Sequence, residues 1–167
     1  MPILLLLLLV GGGAAWLLTH HRPAATSFVL LGDSLAVGLT PYLMRWAASK
    51  GLRFAQDAQV GRRTRAQGTA LVGPGSLVFV SLGTNDAIAP TDGSQIRMLA
   101  DEIRRRGSSR IVWLVPPATK QLPGIKLVRG AIYSSGVEAV TTAAPLRPDG
   151  LHPASYAVAF QDIARFL

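Results

Sequence analysis

Ser34, Asp149 and His152 are the side chains of this sequence whose types and settings suit nucleophilic chemistry. Ser34 stands in Gly32-Asp33-Ser34-Leu35, directly after a short apolar run and at the start of a helical stretch. A serine placed there turns its backbone N–H toward the same space as its hydroxyl, so one residue can attack a carbonyl and hold the developing oxyanion. Asp149 and His152 stand in Asp149-Gly150-Leu151-His152-Pro153. A carboxylate three residues before an imidazole can fold back to take the proton on one ring nitrogen, leaving the other free to accept a hydroxyl proton. Beyond the His20-His21 pair near the amino end, His152 is the one histidine, so histidine chemistry in the body of the chain must use it.

Two further blocks can serve the same reaction. In Gly83-Thr84-Asn85-Asp86 the Asn85 amide can donate to an oxyanion, while Asp86 can hold the loop by accepting backbone amides. In Gln59-Val60-Gly61-Arg62-Arg63-Thr64 the glycine can offer an unobstructed N–H. Taken singly, each block is a common turn or helix cap. What they share is position, since each follows an apolar, β-branched run.

Those runs define the elements that must hold the blocks. Strands are expected at Ser27 to Leu31, Arg53 to Ala58, Leu77 to Leu82, Arg110 to Val115 and Val137 to Val140, alternating with helical stretches, the pattern of βαβ units and a parallel sheet. One helix is expected to begin with Thr40 as cap and Pro41 as first residue, to end at Gly51, and to turn Leu43, Met44 and Ala47 inward. Another follows Asp92, with Ile96, Leu99, Ala100 and Ile103 at helical spacing and Arg104 to Arg106 before Gly107 at its end. A last one runs from Pro153, with Tyr156, Phe160, Ile163 and Phe166 or Leu167 inward. In such sheets ligands bind at the carboxyl ends of strands, where all four blocks fall.

In identity, order and placement the four blocks resemble the SGNH, or GDSL-type, hydrolase family, over the stretch from about Phe28 to Pro153. The resemblance implies a three-layer α/β/α fold around a doubly wound, five-stranded parallel sheet of flavodoxin-like order. It implies Ser34 as nucleophile, His152 as general base and then acid, and Asp149 as its orienting partner. The oxyanion hole would combine the Ser34 amide, the Gly61 amide and the Asn85 side chain, with no metal and no organic cofactor. Two features depart from the family pattern. The loops after the strands are short, so a shallow, open site with little room for a long acyl chain is expected. Arg62, Arg63 and Arg65 follow the glycine, so a positive, substrate-binding rim is expected. Together they point to a short acyl group, acetyl first, on an anionic alcohol such as an envelope glycan. An acyl thioesterase, a lysophospholipase-type lipase and a non-catalytic glycan-binding module remain as alternatives.

Composition bounds the rest. A chain of 167 residues has room for one domain of ordinary size. The absence of cysteine excludes thiol nucleophiles and disulfide scaffolds. Asp33, Asn85, Asp86 and His152 resemble the ligands of a metallophosphoesterase, but a two-metal site needs several histidines and the body of the chain has one. The net charge of +8 suits anionic surroundings. The Arg104–Arg106 triplet suits the negative end of a helix dipole, so no nucleic-acid partner is expected. Ile3 to Leu18 carries no polar side chain, which at ~1.5 Å per residue spans ~24 Å, short of a ~30 Å hydrocarbon core. Residues 1–23 therefore read as a short membrane anchor or a secretory signal with its linker, and 24–167 as the catalytic domain, outside the cytoplasm or secreted.

Overall fold

Phe28, Val29, Leu30 and Leu31 are four apolar residues in succession, and a strand of that composition is stable only when both its faces are covered. All four are buried in β1 (Ser27–Gly32), the middle of the architecture. β2 (Arg53–Ala58) and β3 (Ser76–Ser81) flank it, and β4 (Arg110–Leu114) and β5 (Glu138–Val140) continue the sheet beyond β3. Every pairing is parallel and the order is β2-β1-β3-β4-β5. The computed structural model of the chain describes residues 25–89 and 92–167. The apolar leader and its expected boundary at residue 23 lie outside them. Among the described residues no helix is long and apolar enough to cross a membrane.

The alternation of side chains along the strands divides the core in two. Phe28, Leu30, Phe79 and Leu114 face Leu39 and Leu43 of α1 (Ser34–Ser49) and Ile163 of α5 (Tyr156–Ala164). Val29, Leu31, Val80 and Trp113 face Ile96 and Ile103 of α3 (Ser94–Arg105) and Ile132 of α4 (Ile125–Ser134). Helices thus cover both faces of a doubly wound, three-layer α/β/α sheet, as expected. The fully buried Trp113 donates its indole N–H to the Leu82 carbonyl at 3.0 Å. That bond ties β4 to the turn entering α2 (Thr84–Ile88), and an unmet buried donor there would cost about 1–3 kcal/mol.

The strands lie within a residue of their expected bounds, but three helical expectations need correction. α1 begins at Ser34, capped by Asp33, so Thr40 and Pro41 lie in its interior rather than at its start. Pro41 deprives the Val37 carbonyl of its helical donor, which is tolerable because Val37 is exposed and water can serve it. The inward face is Leu39, Leu43 and Ala47, while Met44 points to solvent. α5 begins at Tyr156, capped by Ser155, rather than at Pro153; of the two terminal candidates Leu167 packs against the core and Phe166 is exposed. In α3 the four expected apolar residues are all buried, and Gly107 closes it in the left-handed region.

Candidate active site

Gly32 ends β1 and Ser34 begins α1, with one residue between them. So sharp a turn presses strand and helix together: a Cβ on Gly32 would stand 2.3 Å from the Ala36 Cβ and 2.7 Å from the Ser81 carbonyl oxygen. Glycine is required there by packing. Ser34 occupies the first turn of α1, where a backbone N–H has no intrahelical acceptor and the helix dipole favours negative charge.

His152 reaches Ser34 from the far edge of the sheet. After β5 the chain forms a narrow antiparallel loop, Leu146 bridging Pro153, with Arg147 N–H bonded to the His152 carbonyl at 2.8 Å and Ala154 N–H to that of Pro145 at 2.7 Å. At its tip Asp149 folds back on the next three residues. Its Oδ1 accepts the N–H groups of Leu151 (2.8 Å) and His152 (3.0 Å), and its Oδ2 lies 2.8 Å from His152 Nδ1. His152 Nε2 lies 2.9 Å from Ser34 Oγ. Carboxylate, imidazole and hydroxyl thus form one hydrogen-bonded line. The His152 and Leu151 backbone amides and then the His152 ring hold the Asp149 carboxyl well below the usual carboxylate range. Asp149 is therefore an anion at any pH where an imidazole can act as base.

The residues expected to form the oxyanion hole, Gly61 and Asn85, follow β2 and β3, the two strands paired with β1. Gly83 enters α2 with φ of 114°, and a Cβ on it would meet Val128 at 2.8 Å. The turn sends Asn85 toward Asp33, the residue before Ser34, and Asp86 inward. Asn85 Nδ2 donates to the Arg62 carbonyl at 3.1 Å and lies 3.4 Å from Asp33 Oδ2. Asp86 Oδ2 accepts the N–H of Thr64 (3.0 Å) and its hydroxyl (2.7 Å), which fastens the loop containing Gly61 to α2. This is the loop-holding task expected of Asp86. The sequence had not singled out its partner Thr64. The Gly61 N–H has no acceptor among the described residues.

Arg62 needs correction. Its guanidinium, expected at the rim, turns inward to Asp57 Oδ1 at 2.6 Å and to Gln67 and Gln59, leaving the side chain 13% exposed. Its role in this structure is to close the loop after β2, and its carbonyl serves Asn85. Arg62 still lines a groove beside Gly61, together with Arg63 and the exposed Arg65.

Asp33 is fully buried. Burial pushes its carboxyl up to about 7, against the Leu35 amide and His152, which both favour the charge. The second unexpected feature is a cavity of about 330 Å³ behind the His152 loop, lined by Leu35, Leu39, Leu114, Leu146, Leu151 and Tyr156 among others. The expectation of little acyl room rested on loop length. The loops after β4 and β5, residues 115–124 and 141–155, are longer than that expectation assumed, and both contribute to the walls of this mostly apolar space.

Comparison with solved structures now decides the fold. A lipolytic protein of the G-D-S-L family from Veillonella parvula is similar, with a TM-score of 0.62 at 13% identity over 84% of this chain and 97% of that one. A protein described as a GDSL-like lipase from Parabacteroides merdae gives 0.59 at 13% identity, over 84% and 95%. The chain has the SGNH hydrolase fold. A third similar structure, described as a platelet activating factor from Streptococcus pneumonia, gives 0.60 at 16% identity over 95% of this chain and 98% of that one. No protein-family model and no curated protein matches the sequence. Within the SGNH fold the blocks around Ser34, Gly61, Asn85 and His152 stand at successive strand ends and before the last helix.

Proposed function

We propose that this chain is a serine esterase of the SGNH type. The observation that carries the reading is the unbroken line from Asp149 through His152 to Ser34, with contacts of 2.8 and 2.9 Å, on a serine at a helix start. Ser34 Oγ attacks the ester carbonyl while His152 Nε2 takes its proton. The tetrahedral oxyanion is held by the N–H groups of Ser34 and Gly61 and by the Asn85 amide. His152 then protonates the leaving alcohol, and a water, deprotonated by the same nitrogen, releases the acid.

For the acyl group the primary reading is short, acetyl first, on an O-acetylated carbohydrate drawn by Arg63 and Arg65. With the leader as anchor or signal, the domain would meet such a glycan at the cell envelope. The apolar cavity favours a second reading, a longer acyl chain seated beside Leu35 and Leu151, which is lipase or thioesterase chemistry with the same residues. Turnover of p-nitrophenyl esters from acetyl to dodecanoyl separates the two. A maximum at acetyl supports the first and a maximum at eight carbons or more the second. No turnover of any ester or thioester would defeat both.

A further inference from the structure

We propose that Asp33 is a positioning residue for Asn85: its buried carboxylate fixes which end of the Asn85 amide faces the oxyanion hole. The two ends of an asparagine amide are nearly equal in size, and the surrounding donors and acceptors decide which way it points. Around Asn85 Nδ2 stand two acceptors, the Arg62 carbonyl at 3.1 Å and Asp33 Oδ2 at 3.4 Å. An oxygen in that place would meet two oxygens, so the nitrogen is held inward. The longer contact, to Asp33, is the one an oxyanion can share as its charge develops. Asp33 is itself fixed, because its Oδ1 caps α1 through the Leu35 N–H at 3.0 Å. One oxygen therefore serves the helix and the other serves Asn85, and the two tasks separate. The titratable groups around this carboxyl are His152 from the loop before α5, Asp86 on α2 and Tyr156 on α5. Asp86 is engaged by Thr64, and His152 by Asp149 and Ser34.

The catalytic consequence rests on the esterase reading, while the orientation of the amide does not. Asp33→Asn keeps an oxygen for Leu35 and puts an NH₂ against the Asn85 NH₂, so Asn85 is driven to turn its oxygen inward. Asp33→Ser keeps a helix cap and removes the second acceptor, and it serves if the first variant fails to fold. Each is expected to lower kcat roughly 10- to 100-fold with KM little changed, less than the ~10²- to 10³-fold loss for deleting a donor outright. Because Asp33 acts through Asn85, the double variant Asp33→Asn/Asn85→Ala should be no slower than Asn85→Ala alone. A merely structural role predicts that the losses multiply. The independent readout is the side-chain ¹⁵N–¹H pair of Asn85, assigned by its loss in Asn85→Ala. It should shift in both Asp33 variants and, in the unaltered chain, follow one titration with a midpoint near 7. An amide pair unmoved by substitution and by pH, or multiplicative losses, would overturn the proposal. A responsive amide pair in a chain with no ester turnover would defeat the esterase reading and leave the positioning role standing.

Discussion

Asp33 and Asp149 flank the same serine, one beside it in sequence and one across a hydrogen-bonded imidazole, and their environments are opposite. Asp149 has a side chain 44% exposed to water and accepts two backbone amides and the His152 ring. Its carboxyl is held well below the usual range, first by those amides. Asp33 is sealed from water, with the Leu35 amide at 3.0 Å, Asn85 Nδ2 at 3.4 Å and the Thr84 side chain also favouring its charge, and burial raises its carboxyl to about 7. The sheet edge thus keeps full negative charge where an imidazolium must be stabilised, and weakens it beside the place where an oxyanion would form.

The widest break in that comparison comes from the Asp149 side. His152→Ala should reduce ester turnover by about 10⁴-fold or more in a protein whose circular dichroism is unchanged. Asp149→Asn should approach the same loss, since it leaves the ring in the wrong tautomer. A drop of less than tenfold in either would remove the relay from the mechanism. On the Asp33 side, Asn85→Ala should cost ~10²- to 10³-fold in kcat with a smaller change in KM. An unchanged kcat would take Asn85 out of the hole.

Stability sharpens the comparison next. Between pH ~4 and ~7 the unfolded chain has released the Asp33 proton while the folded chain keeps it. Folding therefore binds a proton in this window, and the contribution of Asp33 is present at low pH and lost as pH rises through about 7. Asp33→Asn has no such dependence. Its stability relative to the unaltered chain should rise from pH 4 to pH 8 by up to about 4 kcal/mol, read as a widening Tm difference. A Tm difference that is flat with pH would show that Asp33 ionises normally. Asp149 has the reverse sign, since its stabilisation is present above the ordinary carboxylate value and fades as pH falls. The smallest effect belongs to the rim. Arg63→Glu with Arg65→Glu should slow an acidic acetylated glycan a few-fold at low salt and leave a neutral one unchanged, the gap closing at high salt. Equal slowing of both substrates would show that the rim does not steer by charge.

The parts of this arrangement that local residue types dictate were legible before the structure. Strand bounds, the inward face of α3, and the chemical blocks at the strand ends follow from apolar runs, helical spacing and turn residues. The start of α1 was not legible, because Thr40-Pro41 is a cap signal that Asp33, already bonded to Leu35, pre-empts. α4 was passed over for a similar reason. Gly130 lies inside it and lowers its intrinsic helicity, while Val128, Ala131 and Ile132 hold it through packing that only the sheet supplies. The inward turn of Arg62 depends on Asp57 and Gln67, partners five residues to either side whose convergence no local pattern announces. The cavity is made by loops that meet only after folding.

The central claim is that Ser34 is the group that forms the covalent bond. Its most direct measurement is the site of modification by a fluorophosphonate, which traps an activated serine, read by intact mass and peptide mapping. The account predicts one adduct, on Ser34, absent in Ser34→Ala and strongly slowed in His152→Ala. An unmodified Ser34 in folded protein that still hydrolyses esters, or a stable adduct on another residue, would contradict it.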